Sequence, residues 1–166
     1  MFKENRIEFL IRWHLYRRWK RRSVLRQSEY IFHTIMPRLC GMGDIFIDLG
    51  ANIGDVTLAA RRYGMKVIAF EPDPIARAVL EERTINDGGI TIIPKAVGGS
   101  ARIATIHQHP GVDDLMKTQS SSLMLTHEHA GGNVFDVEVV NIVDFINKVE
   151  GRIAALKMDI EPTFSK

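Results

Sequence analysis

The sequence predicts an α/β fold, a parallel sheet with helices between its strands, and three observations carry that prediction. Residues 44–54 read Asp-Ile-Phe-Ile-Asp-Leu-Gly-Ala-Asn-Ile-Gly, an apolar run (Ile45, Phe46, Ile47) broken by a glycine loop. Sixteen residues beyond Gly54, a second apolar run, Val67 to Phe70, ends in the carboxylate Glu71. Further apolar runs then alternate with helical stretches. A strand, a glycine loop, a helix and an acid-tipped strand form the nucleotide half of a Rossmann-like fold.

Each element has its own signal. Residues 4–36 contain no Gly or Pro and read as helix, with Ile7, Leu10, Ile11, His14 and Leu15 at helical spacing. Pro37 and the Gly41-Met-Gly43 stretch punctuate the entry into the core. Strands are expected near 44–48, 66–70, 90–94 and 153–158, and helices near 54–63 and 74–86. Gly64 follows Arg61, Arg62 and Tyr63 as a helix end, and Pro74 suits a first helical position behind a capping Asp73. Such βαβ units pair their strands in parallel with right-handed crossovers. The segment 102–141 breaks the rhythm. Arg102–His107 and Val134–Val140 read as strands around a polar Ser, Gly and His-rich stretch, an antiparallel hairpin insertion. Ile142–Val149 returns as a short helix leading into the fourth core strand.

The glycine spacing bears on the ligand. A dinucleotide fingerprint runs G-x-G-x-x-G, so that pyrophosphate sits on a helix N-terminus. Here the spacing is Gly50-x-x-x-Gly54, with Asp48 two residues before the first glycine. A carboxylate there repels pyrophosphate and suits a cationic ligand, such as the amino group and sulfonium of S-adenosylmethionine. The plainer alternative is that Asp48 caps a turn that the glycines merely allow.

The ordered segments Asp48 to Gly54, Ala69-Phe-Glu-Pro-Asp-Pro74, Lys95-Ala-Val-Gly98 and Leu156-Lys-Met-Asp-Ile-Glu161 resemble those of FkbM-type methyltransferases over roughly residues 40–161. The resemblance implies a class I methyltransferase core that uses S-adenosylmethionine and methylates hydroxyl oxygens, often on sugars or natural products. It divides the chain into a basic helical arm (1–38), a partial methyltransferase domain (39–161) and an aberrant tail (162–166).

On this basis Gly50 and Gly54 let the loop approach the methionine portion of the cofactor, and Asn52 bridges loop and ligand or simply stabilises the turn. Asp48 holds the amino group and Glu71 accepts the ribose hydroxyls. Val97, with Phe70 and Pro72, walls the adenine, although Phe70 fits the core equally well. Asp159 and Glu161 close the fourth strand at the carboxyl edge of the sheet, where they orient or deprotonate the acceptor, or else cap a following helix. His107, His109, His127 and His129 form two His-x-His pairs without cysteine or helical spacing, and no metal site is expected from them. Ser120, Ser121 and Ser122 either line the acceptor side or form a plain loop.

Composition bounds the rest. The chain has 166 residues, 45% hydrophobic and 25% charged, ordinary values for one globular domain. A single cysteine, Cys40, excludes an intrachain disulfide and fits a reducing, cytoplasmic setting. No apolar stretch approaches the ~20 residues of a membrane helix. Residues 1–38 hold ten Lys or Arg against three Glu, and the remaining residues hold twelve against seventeen acids. The arm, with Trp13, Tyr16 and Trp19 among its charges, is a helix packed on the core, a peripheral membrane contact or, least of all, a nucleic-acid contact.

The family pattern continues after Glu161 with glycine, whereas Pro162 stands here and the sequence ends at Lys166. The expectation is therefore an incomplete parallel sheet whose fourth strand is an edge. Such a chain would have a tendency to associate with a second copy or a partner that completes the sheet. Alternatively, it would be an inactive fragment that retains cofactor binding or an interaction role.

Overall fold

The computed structural model describes Arg38, residues 40–108 and residues 133–159. The basic arm, the tail, the inner part of the 102–141 insertion, Glu161 and the histidines other than His107 lie outside these residues. The chain divides into Met1–Arg38 and Leu39–Lys166, and the elements below belong to the second unit.

β1 (Ile45–Leu49) is buried at every position, as a central parallel strand covered on both faces must be. Its side chains alternate between the faces. Ile45, Ile47 and Leu49 join Phe70 and Val97 in one apolar cluster. Asp48 faces the other way and meets the following helix through Thr57. β2 (Lys66–Phe70) and β7 (Ile153–Met158) flank β1 in parallel, and β3 (Ile90–Ile93) pairs in parallel with β2. The order β3-β2-β1-β7 is the α/β, Rossmann-like arrangement that the sequence predicts.

α1 (Asp55–Arg62) starts from Gly54 in the left-handed region, with no side-chain cap. Its basic last turn complements the helix dipole. α2 (Pro74–Arg83) has proline in its first turn and Asp73 as a true cap, whose Oδ1 accepts from the N–H groups of Ile75 (2.8 Å) and Ala76 (3.4 Å). The helix ends three residues before position 86. Asn86 adopts a φ of 69°, which a continuing helix does not allow, and the Asp87 N–H folds back onto the Thr84 carbonyl.

The expected hairpin is present, with β5 (Arg102–His107) antiparallel to β6 (Val134–Asn141). Unexpected is β4 (Ala96–Gly98), which pairs in parallel with β6, so the hairpin builds a separate three-stranded sheet, β4-β6-β5. Three residues are too few to show a strand period. Ala96, Ile106, Val137 and Val139 form the core of that sheet. α3 (Ile142–Ile146), capped by Asn141, is shorter than the expected 142–149. Its Phe145 packs edge-on against Phe70, with ring centroids 4.9 Å apart at 87°. Together with Ile142, Ile146 and Val149, it covers one face of the main sheet. No helix among the described residues is long and apolar enough to cross a membrane.

Candidate functional site

The carboxyl ends of β1, β2 and β7 open on the loop Gly50–Gly54, and the hydrogen bonds of that loop constrain what it can bind. The N–H groups of Gly50 and Ala51 both donate to the Phe70 carbonyl, at 3.0 and 2.9 Å. The Asn52 N–H donates to Glu71 Oε2 (2.6 Å), that of Ile53 to Asn52 Oδ1 (2.7 Å) and that of Gly54 to the Ala51 carbonyl (2.9 Å). All five N–H groups are used internally. A phosphate cradle needs such groups pointing outward, and this loop offers none. From outside, Arg83 holds the Ile53 carbonyl at 2.6 Å and Asp55 at 2.8 Å, which ties α2 to the loop.

Asp48 is fully buried. Its Oδ2 accepts from the Thr57 hydroxyl at 2.7 Å. Its Oδ1 has no hydrogen-bond donor. Lys157 Nζ stands 3.3 Å from that oxygen, an ion-pair distance without hydrogen-bond geometry. The same ammonium donates to the Gly50 carbonyl at 2.8 Å and lies 3.6 Å from Asp159 Oδ2. Burial raises the Asp48 carboxyl above its ordinary range, opposed first by Lys157 and then by Thr57. Asp159 follows β7 directly, and its N–H donates to the Leu49 carbonyl at 3.0 Å. Its side chain is largely exposed.

Glu71 is nearly buried, and its carboxylate is clamped by the main chain. Oε2 accepts from the Asn52 N–H at 2.6 Å, and Oε1 from the Asp73 N–H at 2.9 Å. Each oxygen thereby keeps one acceptor position in a fixed orientation. Asp73 in turn accepts through Oδ2 from Gln108 Nε2 (2.8 Å), and Gln108 Oε1 accepts from Asn133 Nδ2 (3.1 Å). A polar chain, buried as far as Gln108, thus runs from Glu71 to the base of the β5–β6 hairpin.

Burial pushes the Glu71 carboxyl from 4.5 up to about 7, against the two main-chain N–H groups that pull it down. A carboxyl raised in the folded state stabilises the fold most below its unfolded value and loses that contribution as pH rises through about 7. Relative to Glu71→Gln, the wild-type chain should therefore lose up to about 3 kcal/mol of stability between acid and weakly alkaline pH. Urea midpoints of both proteins across that range check it. A pH-independent difference would contradict the buried, raised carboxyl.

The structure brings Asp48, Gly50, Asn52, Gly54, Glu71 and Asp159 to one edge of the sheet, and it gives four residues a packing or turn role. Gly54 has a packing reason of its own. Its φ is 91°, and a Cβ there would collide with Leu80 Cδ1. Asn52 is itself left-handed (φ 50°), and its side chain braces the Ile53 N–H, so it shapes the turn. Val97 is 3% exposed and packs with Leu49 and Phe70 in the core. Phe70, fully buried, is core as well. Glu161 lies outside the described residues. Among those residues, no cluster of His, Cys, Asp or Glu is placed to hold a metal ion.

Three residues of the site escaped sequence reasoning: Thr57, Lys157 and Gln108. Lys157 had a legible signal, since it precedes Asp159 by two residues and the two must leave the strand on the same side. Its pairing with Asp48 depends on strand order. Gln108, 1% exposed, carried no signal at all.

A family model for the methyltransferase FkbM domain matches residues 48–161. Among solved structures, the chain is similar to a proposed RNA methyltransferase from Pyrococcus horikoshii, at 26% identity and a TM-score of 0.37. That likeness covers 43% of this chain and only 38% of the other. It is also similar to a proposed rRNA methylase from Clostridium thermocellum, at 12% identity and a TM-score of 0.39, covering 78% and 84% of the two chains. No curated protein matches the chain.

Proposed function

The chain belongs to the FkbM-domain methyltransferase family, and from that premise we propose that it binds S-adenosylmethionine at the carboxyl ends of β1, β2 and β7. We further propose that the methyl group goes to a hydroxyl oxygen of a sugar or natural-product-like acceptor. The observation that carries the cofactor reading is the pairing of two buried carboxylates, Asp48 and Glu71, across a glycine loop with no N–H group to spare. Such a site repels a pyrophosphate and attracts a cationic nucleoside.

Asp48 Oδ1, buried without a donor, is the natural acceptor for the cofactor's ammonium group. Glu71, held by two main-chain N–H groups, directs its remaining acceptor positions at the ribose hydroxyls. The cofactor, when bound, supplies the methyl group and its own leaving group, so the protein's task is alignment, worth up to ~7–11 kcal/mol when geometry is good. Asp159, exposed beside Lys157, would orient an acceptor hydroxyl, and a strong base is not required of it. Glu161, two residues on, is the second candidate on the acceptor side. The hydroxyl acceptor is what the family resemblance implies.

Calorimetric titration with S-adenosylmethionine, beside a nicotinamide dinucleotide, tests the cofactor. Binding of the first and not the second is expected. Incubation with methyl-labelled cofactor and sugar-bearing extracts tests the acceptor, and label is expected in alkali-stable ether linkages. Failure to bind S-adenosylmethionine would overturn the proposal.

A further inference from the structure

Lys157 is the cation beside Asp48, and its surroundings specify a ligand more closely than Asp48 and Glu71 do. Asp48 and Lys157 are register partners on neighbouring strands, so their side chains leave the sheet together. The ammonium has three N–H donors, and one makes a short bond, to the Gly50 carbonyl. Its contacts with Asp48 Oδ1 and Asp159 Oδ2, 3.3 and 3.6 Å, are long for charge-assisted hydrogen bonds. Asp48 Oδ1, beside it, is buried with no donor. An under-used cation and an under-used anion thus stand side by side, where desolvation is costly unless further hydrogen bonds offset it.

The group that completes both brings an ammonium and a carboxylate on neighbouring atoms, as an α-amino acid does. Resting on the cofactor reading above, we propose that Lys157 binds the α-carboxylate of S-adenosylmethionine while Asp48 takes the adjacent ammonium. Local charge at the amino-acid end supports it. Asp48 and Lys157 already form one ion pair, and an ammonium beside Asp48 with a carboxylate beside Lys157 gives each charge a neighbour of opposite sign. Without its carboxylate the ligand carries +2 and places a second cation against Lys157. Lys157 therefore selects the intact amino-acid end, and it is partly exposed, so a ligand can reach it.

Three probes test this by calorimetry: S-adenosylmethionine, its decarboxylated form, and methylthioadenosine, which shares the nucleoside but lacks the amino acid. The wild-type chain should favour S-adenosylmethionine over the decarboxylated form by about tenfold or more. In Lys157→Met that preference should collapse through weaker binding of S-adenosylmethionine, with methylthioadenosine held within about twofold. Lys157→Arg should keep the preference. Equal wild-type affinity for the first two probes would overturn the assignment. So would a Lys157→Met chain that loses all three alike, which would make Lys157 a strut for the Gly50 turn. A wild-type chain that binds none of the three overturns the cofactor reading itself, a result distinct from both.

Discussion

Glu71→Ala should weaken binding of S-adenosylmethionine about tenfold to a hundredfold, because on the proposed reading it removes the charged acceptor of two ribose hydroxyls. The loss should extend to methylthioadenosine, which carries the same ribose, and this separates a ribose contact from a contact with the amino acid. A pH dependence accompanies it. With its carboxyl near pH 7, free Glu71 is largely protonated in weak acid, while ribose hydroxyls donate best to the carboxylate. Binding therefore favours the ionised form and releases a proton. Methylthioadenosine affinity should rise about tenfold from pH 6 to pH 8 and flatten above. In Glu71→Gln it should be weak and level. This slope is opposite in sign to that of stability, because pH acts on one carboxyl through two equilibria. The protonated form favours the empty fold, and the ionised form favours the complex. A wild-type affinity that is level across this range would remove Glu71 from the ribose.

Gly54→Ala should have the largest effect on stability. The residue sits at φ 91°, where an L side chain is strained, and its Cβ would overlap Leu80 Cδ1. Strain of about 1–3 kcal/mol and overpacking of about 1–3 kcal/mol together give roughly 2–6 kcal/mol. That is a large share of the ~5–15 kcal/mol that holds a typical domain folded. Urea titration should show a lower midpoint at unchanged slope. Leu80→Ala relieves the overlap but not the strain. The double variant should therefore be more stable than the sum of the single changes predicts, by about 1 kcal/mol or more. Strict additivity would mean that Gly54 does not pack against Leu80.

Much of this was legible because local rules and the fold agree. The runs at Ile45 and Val67 are too apolar for anything but buried strands, the run at Ile153 reads as a strand too, and Asp73-Pro74 carries its own helix start. Asp48 was legible as an acid before a glycine loop, and Glu71 as an acid at a strand end. Other positions carry packing that the sequence does not show. Val97 and Phe70 stand beside a nucleotide motif and join the core, and an apolar side chain says only that it avoids water. Gly54 meets Leu80, twenty-six residues further along the chain. β4 is too short to announce itself and exists through its pairing with β6.

The sequence by itself determined the α/β class, the order of the four parallel strands' elements along the chain, and the two acids at the carboxyl edge of the sheet, because each rests on periodicity or on a motif within one segment. Only the tertiary structure decided that β7 lies beside β1. That adjacency sets Lys157 against Asp48 and the Gly50 carbonyl, and a contact between residues over a hundred positions apart has no local signature. The same holds for Gln108, whose amide joins Asp73 to Asn133 across two sheets. Local chemistry proposes the groups, and strand order determines which of them share a charge.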